Sequence, residues 1–518
     1  MYVLVDHQTT GDVIYGDEVL MESDSVTEVE SLQEFDVLDE IKNKVGSSLV
    51  TYSQNISLKM RIQTNSTEAV GFMMHVQPMG TIGRYRILLG SIILIVIYLL
   101  LLLEVVNRAI VAFIGAFVTL LVVSFVTDAP SLSTVVSWMD SSTLCLLFGM
   151  MIMIQMLSTT GVFEFLAVSM FTLSKGSILA LSISLCLLTG VISAFLDNVT
   201  TVLLIAPVTI ELADIMNISP IPLLLPEVIY SNIGGTATQI GDPPNIIIGN
   251  MLSDHIGFVD FIYHMTPCAL LCMLFVYIVV FFFYKDTLMK PRCQVDPSLR
   301  KKYPIKNKPL LLKCGIVLLF VIILFFLHSV HGIDTAFIAI AGAFTCLLLG
   351  TNEDLHTTFE LLEWETLVFF AGLFIMIQGV SDLGVIRAIG NAIASLIMKA
   401  PKEYQSLLAH MLLLWVSGLV SSVLDNIAFI ATMIPVVKIL ANEPSLNLDI
   451  TTLAWALAFG ACYGGNGTLV GAGANLVTAG ISTSKGYPIT FGMFFKFGFP
   501  CMIVTLLVST VYVWIRYV

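Results

Sequence analysis

Long apolar runs dominate the chain, and polar residues are confined to short interruptions. Runs near or above the roughly 18–20 residues needed to cross a bilayer recur at 87–103, 109–126, 267–283 and 310–327. They lack the short alternating segments of a membrane barrel, so the pattern predicts an all-α polytopic membrane protein. Residues 1–82 are different. They are polar, and "SLVTYSQ" and "ISLKMRIQT" alternate apolar and polar side chains as half-buried strands do. This tail is expected to stay out of the membrane and to carry some β structure.

Composition sharpens the picture. Of 518 residues, 57% are apolar and 12% charged, with a mean hydropathy of +0.92; a soluble domain carries roughly twice that charge. The net charge of −13 is unevenly spread, because residues 1–70 hold 13 acidic and four basic side chains while 285–313 hold nine of the 24 Lys and Arg. The positive-inside rule therefore makes the 285–308 loop cytoplasmic. Five crossings precede it, at about 87–104, 108–127, 141–160, 221–250 and 258–284, with Arg108 and Lys175 read as boundary residues. An odd count places the acidic tail in the lumen or outside, where the sequons at Asn55 and Asn65 become glycosylation sites. The expected organisation is a tail at 1–82, a membrane repeat at 83–284, the basic loop at 285–308 and a second repeat at 309–518. The nine cysteines lie mostly in apolar runs and read as small hydrophobes. With neither C-x-x-C nor H-E-x-x-H present, no dedicated metal site is predicted, and nothing suggests a nucleic-acid partner.

The count of five omits 178–215, where "FLDNVTT" at 195–201 interrupts two apolar arms. A carboxylate, a carboxamide and two hydroxyls at membrane depth need a protein-lined or watery setting. A re-entrant hairpin with Asp197 and Asn198 at its tip supplies one.

The same stretch occurs twice. "GVISAFLDNVTTVLLIAPV" at 190–208 aligns without gaps to "GLVSSVLDNIAFIATMIPV" at 418–436, pairing Ser193 with Ser421 and Asp197-Asn198 with Asp425-Asn426. "GGTATQIGDPPN" at 234–245 aligns to "GGNGTLVGAGAN" at 464–475, and "TLCLLFGMMIMIQMLSTTG" to "TLVFFAGLFIMIQGVSDLG", pairing Gly149 with Gly372. Five crossings and one hairpin per half would make the second half enter the membrane inverted, a plan common among secondary transporters. The glycine and proline pairs look built to break helices. Gly234-Gly235 and Gly464-Gly465 are expected to adopt angles a helix cannot use, Gly471 and Gly473 to loosen the second break, and Pro243-Pro244 to bar the preceding residue from helical geometry.

These motifs, L-D-N with G-G-x-x-T-x-x-G in each half, resemble the ion transporter superfamily of citrate and dicarboxylate carriers, arsenite permeases and sodium/proton antiporters. "SAFLDNVTTVLLIAPVTI" and "NIGGTATQIGDPPN" are most similar to its P protein branch, from pigment-cell organelles. The resemblance spans roughly 85–518. It implies a homodimer, each protomer with a scaffold part and an elevator-type transport part, and it implies that substrate and coupling ion bind between the two tips and the two breaks. Carried onto this chain, the first tip is Ser193, Asp197, Asn198, Thr200 and Thr201, with a break containing Gly235, Thr236, Thr238, Asp242 and Asn245. The second is Ser421, Asp425 and Asn426, with Gly465, Asn466, Thr468 and Asn475. Dicarboxylate carriers have Ser-Asn-Thr at each tip; Asp-Asn here adds negative charge and departs from that pattern.

The expected function is secondary active transport of a small ion or organic anion, coupled to protons or to sodium held at Asp197 and Asp425, in an endosomal, lysosome-related or plasma membrane. No other cofactor is expected. A chloride channel on the same fold is the alternative. An intramembrane aspartyl protease is disfavoured, because the G-x-G-D such enzymes carry is missing: Gln239 stands two before Gly241. Asp197 and Asp425 also suit helix N-caps, a role compatible with ion binding. Asp242 and Glu227 have no acidic counterpart, facing Ala472 and Leu457 in the repeat.

Overall fold

A computed structural model describes residues 2–7, 13–18, 58–63, 85–103, 106–126, 129–292, 303–350 and 355–518. The chain divides into two compact units, Met1–Gln77 and Pro78–Val518. In the first, β1 (Tyr2–His7) pairs antiparallel with β2 (Val13–Glu18) and with β3 (Leu58–Gln63), giving the order β2-β1-β3. β3 falls inside the alternating "ISLKMRIQT". "SLVTYSQ" and both sequons lie outside the described residues.

The second unit is helical. Its first half runs α1 (Arg86–Leu103), α2 (Arg108–Val126), α3 (Leu132–Trp138), α4 (Ser141–Ser158), α5 (Val162–Leu173), α6 (Ile178–Ser193), α7 (Asn198–Ile215), α8 (Ile221–Gly235), α9 (Pro243–Met251) and α10 (Phe258–Leu288). Its second half runs α11 (Lys308–Phe326), a single turn α12 (His328–His331), α13 (Thr335–Leu349), α14 (Leu355–Glu360), α15 (Trp364–Asp382), α16 (Val385–Met398), α17 (Lys402–Ser421), α18 (Asn426–Ala441), α19 (Ile450–Gly464), α20 (Gly473–Ser484) and α21 (Phe491–Tyr517). Apart from α12, each element of one half has a counterpart in the other, in the same order. Among the described residues nine helices are long and apolar enough to cross a bilayer; the 18 residues of α1 rise about 27 Å, close to the hydrocarbon thickness.

Packing sorts these helices into two groups. In one, α2 packs on α15 and α4 on α13, with α1 and α11 alongside. In the other, α6 packs on α8, α17 on α19, α7 on α20 and α9 on α18, with α10 against α21. The short helices α5 and α16 lean on α7 and α18 respectively and connect the groups. The contacts are reciprocal between halves. Gly149 of α4 and Gly372 of α15 show why the first group is tight: an added Cβ would lie 2.6 Å from Ala339 backbone and 3.0 Å from Ala112 backbone. Small residues let apolar helices approach where no hydrophobic force drives them together.

Candidate functional site

Both predicted interruptions of the hairpins are present. α6 ends at Ser193 and α7 begins at Asn198, with Asp197 extended at the N-cap (φ −62°, ψ 154°). α17 ends at Ser421 and α18 begins at Asn426, with Asp425 at the N-cap. Each carboxylate satisfies backbone donors that a helix start leaves free. Asp197 Oδ1 accepts from the N–H of Val199 at 2.8 Å and of Thr200 at 3.2 Å, and Asp425 Oδ1 accepts from the N–H of Ile427 at 2.9 Å. In each case the other carboxylate oxygen faces elsewhere. Asp197 Oδ2 accepts from the Thr200 hydroxyl, and Asp425 Oδ2 lies 3.9 Å from Arg108 Nη1.

The second pair of interruptions separates α8 from α9 and α19 from α20. Asp242 is extended (φ −140°, ψ 133°), as a residue before Pro243-Pro244 must be, and Ala472 matches it (φ −149°, ψ 143°). The glycines do something other than expected. Gly234, Gly235 and Gly464 end their helices with no left-handed angle, and the positive-φ glycines lie elsewhere in the chain. Their role is close approach. A Cβ on Gly234 would stand 2.1 Å from Gly190 O, one on Gly235 2.3 Å from Asn198 Oδ1, and one on Gly464 2.5 Å from Gly418 O. Missing side chains let each break nest against its own hairpin. Gly471 keeps ordinary angles as well, and Gly473 opens α20 rather than loosening the break.

Amides and hydroxyls stitch the breaks. Asn245 Nδ2 donates to the carbonyls of Gly235, Thr236 and Thr238 at 3.3, 3.2 and 2.9 Å, and Asn475 Nδ2 donates to Gly465 and Thr468 at 2.8 and 2.9 Å. The hydroxyls of Thr238 and Thr468 donate to carbonyls at the hairpin turns, Ala194 and Ser422. Thr236 bonds back to Asn232 O within its helix at 2.9 Å. Ser193 donates to Asn198 Oδ1 at 3.0 Å, and Ser421 to Ala461 O at 2.7 Å. These side chains hold the backbone around the site, whereas Asp197, Asn198, Asp242, Asp425, Asn426 and Gly473 line a cavity of about 40 Å³. Thr201 is buried with its hydroxyl unpartnered, away from that lining.

Two features of the cavity were not read from the sequence. Arg108, expected at a boundary, instead points in from the start of α2, between Glu365 (3.7 Å) and Asp425. Glu363, at the N-cap of α15, completes the wall; its Oε2 accepts from Thr366 Oγ1 at 3.0 Å and its Oε1 is buried without a partner. A signal for Glu363 existed. Asp140 stands at the N-cap of α4 and likewise accepts from a threonine hydroxyl, that of Thr143, so extending the first aligned block by three residues exposes an acid in both halves. Asn232 is a third omission. Its amide donates to Asn466 Oδ1 (2.9 Å) and Asn475 Oδ1 (3.1 Å) and accepts from Asn198 (3.3 Å), joining the two halves at the centre.

The lining thus gathers Asp197, Asp242, Asp425 and Glu363 against one guanidinium. Asp242 is 2% exposed, and its Oδ2 has no hydrogen-bond partner. Glu227 is buried apart from this cavity, accepting from Thr209 Oγ1 at 2.7 Å.

Apolar spans, paired broken helices and a charged cavity where they meet define a multi-pass membrane transporter. Residues 98–460 match the citrate transporter family, and the chain belongs to that family. It is 37% identical to the human P protein over 90% of its own length and 64% of that protein's, so it spans somewhat less than two thirds of this relative. It is 37% identical to a 46 kDa membrane protein of Mycobacterium leprae, covering 82% of this chain and 97% of that one. An uncharacterised transporter of Mycobacterium tuberculosis is 38% identical over 73% of this chain and 87% of its own. The fold is similar to that of the YdaH transporter of Alcanivorax borkumensis, with a TM-score of 0.54 and 14% identity over 80% of this chain and 99% of that one.

Proposed function

We propose that the protein is a secondary active transporter of a small ion or organic anion, coupled to protons or sodium through the carboxylates of the central cavity. The observation that carries this reading is the charge of the lining: four carboxylates and one guanidinium, at the meeting of both hairpin tips with the first and second breaks. Carboxylates shielded from water and lacking counter-charge must take up a proton or a cation. A space of about 40 Å³ suits an ion with a few waters at most, since one water needs about 10–15 Å³ of such space. Among the described residues no three acidic, histidine or cysteine side chains converge as a metal cluster. A sodium ion there would be held by one or two carboxylates with neighbouring carbonyl and hydroxyl oxygens. The same negative lining argues against a chloride path, since anion pores use Arg and Lys.

An organic anion needs more room, which a sliding of one helix group along the other supplies. In this reading the group holding α6–α10 and α17–α21 moves, the other stays, and the halves are inverted copies within a homodimer. Flux into proteoliposomes, with sodium, pH and anion varied in turn, tests the function. A gradient of sodium or protons is expected to drive uptake of one anion or exchange of one cation. Uncoupled flux that ignores both gradients overturns it.

A further inference from the structure

A second, larger cavity of about 410 Å³ lies between the start of α10, the start of α19 and the end of α21. α10 rises about 39 Å over Phe258–Phe283, up to a kink at Tyr284 (φ −117°, ψ 19°), so its start at this cavity and its end at Leu288 lie far apart. The walls are aromatic and hold one guanidinium. Arg516 sits 4.4 Å from the centre of the Tyr263 ring, and its Nη1 donates to the Tyr512 phenol oxygen, Oη, at 2.5 Å. His264 stacks on Trp455 at 5.1 Å with an interplanar angle of 12°, and its Nδ1 is 2.7 Å from the Tyr517 hydroxyl. That leaves Nε2 of His264 as the ring's other polar atom, and His255 adds a second imidazole to the lining.

The Arg516 guanidinium has no direct ion-pair partner among the described residues: no carboxylate lies within 4.0 Å of it, and its neighbours are three tyrosine rings and a phenol oxygen. The one carboxylate in the wall, Asp260, is engaged at 2.8 Å by the Gly257 N–H at the head of α10. The nearby Asp449 is likewise engaged by Thr451 and Thr452. A guanidinium set among aromatic rings and short of counter-charge is a receptor for a carboxylate or phosphate group.

We propose that this cavity binds a small organic anion through a carboxylate or phosphate group, with Arg516 as its charge partner and His264 and Tyr263 as its flanking contacts. The cavity has about ten times the volume of the carboxylate-lined one and falls within the roughly 300–1,000 Å³ of small-molecule sites. It sets one guanidinium against one carboxylate, where the central site sets one against four, so the two suit different ligands. The inference stands apart from the coupling mechanism, because none of its residues lines the central cavity.

Inorganic phosphate is the probe, titrated into the full chain in zwitterionic phosphatidylcholine nanodiscs and followed by calorimetry and tryptophan fluorescence. Saturable binding is expected in wild type, weakened by roughly ten-fold or more in Arg516→Gln, as loss of a charge-assisted pair implies, and less in Arg516→Lys. Asp197→Asn with Asp425→Asn should bind phosphate as wild type does, separating this site from the coupling reading. Nanodiscs containing phosphatidylglycerol distinguish the source. Loss of phosphate binding there identifies a lipid headgroup as the occupant, and unchanged binding identifies a soluble anion. Absence of saturable binding in wild type in phosphatidylcholine, or equal affinity in folded Arg516→Gln, overturns the proposal.

Discussion

In the first break Asp242 precedes Pro243 and Pro244, whereas the corresponding stretch of the second break reads Ala472, Gly473 and Ala474. Yet the backbones coincide: φ −140°, ψ 133° at Asp242 and φ −149°, ψ 143° at Ala472. An asparagine amide laces each loop in the same way, Asn245 in one and Asn475 in the other. The fold therefore does not require a carboxylate at this place, since alanine serves equally in the second half. What was duplicated is the frame, and what differs between copies is charge. The tips show the same contrast, for Asp197 turns its free oxygen to Thr200 and Asp425 turns its own towards Arg108.

The largest effect is expected where the halves agree. Asp197→Asn and Asp425→Asn keep an oxygen that can cap α7 and α18, but neither can ionise. Each should leave folding intact and abolish the sodium or pH dependence of flux in proteoliposomes. Transport in both variants with unchanged dependence would show the tip carboxylates to be caps only, and the proposed coupling would fail.

The shared frame has its own test. Gly234→Ala drives a Cβ to 2.1 Å from Gly190 O and Gly464→Ala to 2.5 Å from Gly418 O, backbone atoms that cannot step aside. Each should cost about 3 kcal/mol, the former more, read as a fall in the midpoint of thermal unfolding in detergent. Gly480→Ala, with nothing within 4 Å, is the control and should not lower the midpoint. Equal midpoints for all three would mean that the breaks do not pack as closely as described.

Much of this was legible in the sequence, and the reasons are physical. A bilayer imposes length and apolarity on every span, so α1, α2, α4 and α10 could be bounded within a few residues from composition alone. Duplication made the tips and breaks visible, because a polar Asp-Asn in an apolar run is costly enough to be noticed twice. Contact chemistry was harder to see. Gly234 reads the same in a sequence whether it supplies a rare angle or a missing Cβ, and only the proximity of Gly190 decides. Arg108 stands at the head of a span, where boundary cations also stand, and its direction depends on the packing of α2 against α15. Asn232 is one polar residue in a helix whose counterpart is Cys462, so the repeat gave it no emphasis.

Asp242 tests the difference between the breaks. It caps no backbone donor of α9 by its side chain, and its Oδ2 is unpartnered, so Asp242→Ala removes charge without removing a helix cap. The midpoint of unfolding should hold or rise, while the sodium or proton concentration for half-maximal flux should rise about ten-fold, the worth of about 1.4 kcal/mol. An unchanged half-maximal concentration would make Asp242 a passive remnant of the loop.

Arg108 gives the smallest and most directional change. Its guanidinium lies 3.9 Å from Asp425 and 3.7 Å from Glu365, and its side chain is 33% exposed. Ion pairs of that exposure contribute about 1 kcal/mol or less, so its removal should act by a few-fold. The sign is the informative part. A guanidinium beside Asp425 occupies the charge that a coupling cation would otherwise neutralise, and the cation must displace it. Arg108→Gln should therefore lower the sodium or proton concentration for half-maximal flux, whereas Asp242→Ala raises it. Arg108→Lys, which keeps the charge but not the planar fork, should fall between wild type and Arg108→Gln. A half-maximal concentration that rises in Arg108→Gln would show that Arg108 supports the coupling ion rather than opposing it, and the asymmetry of the two tips would need another cause.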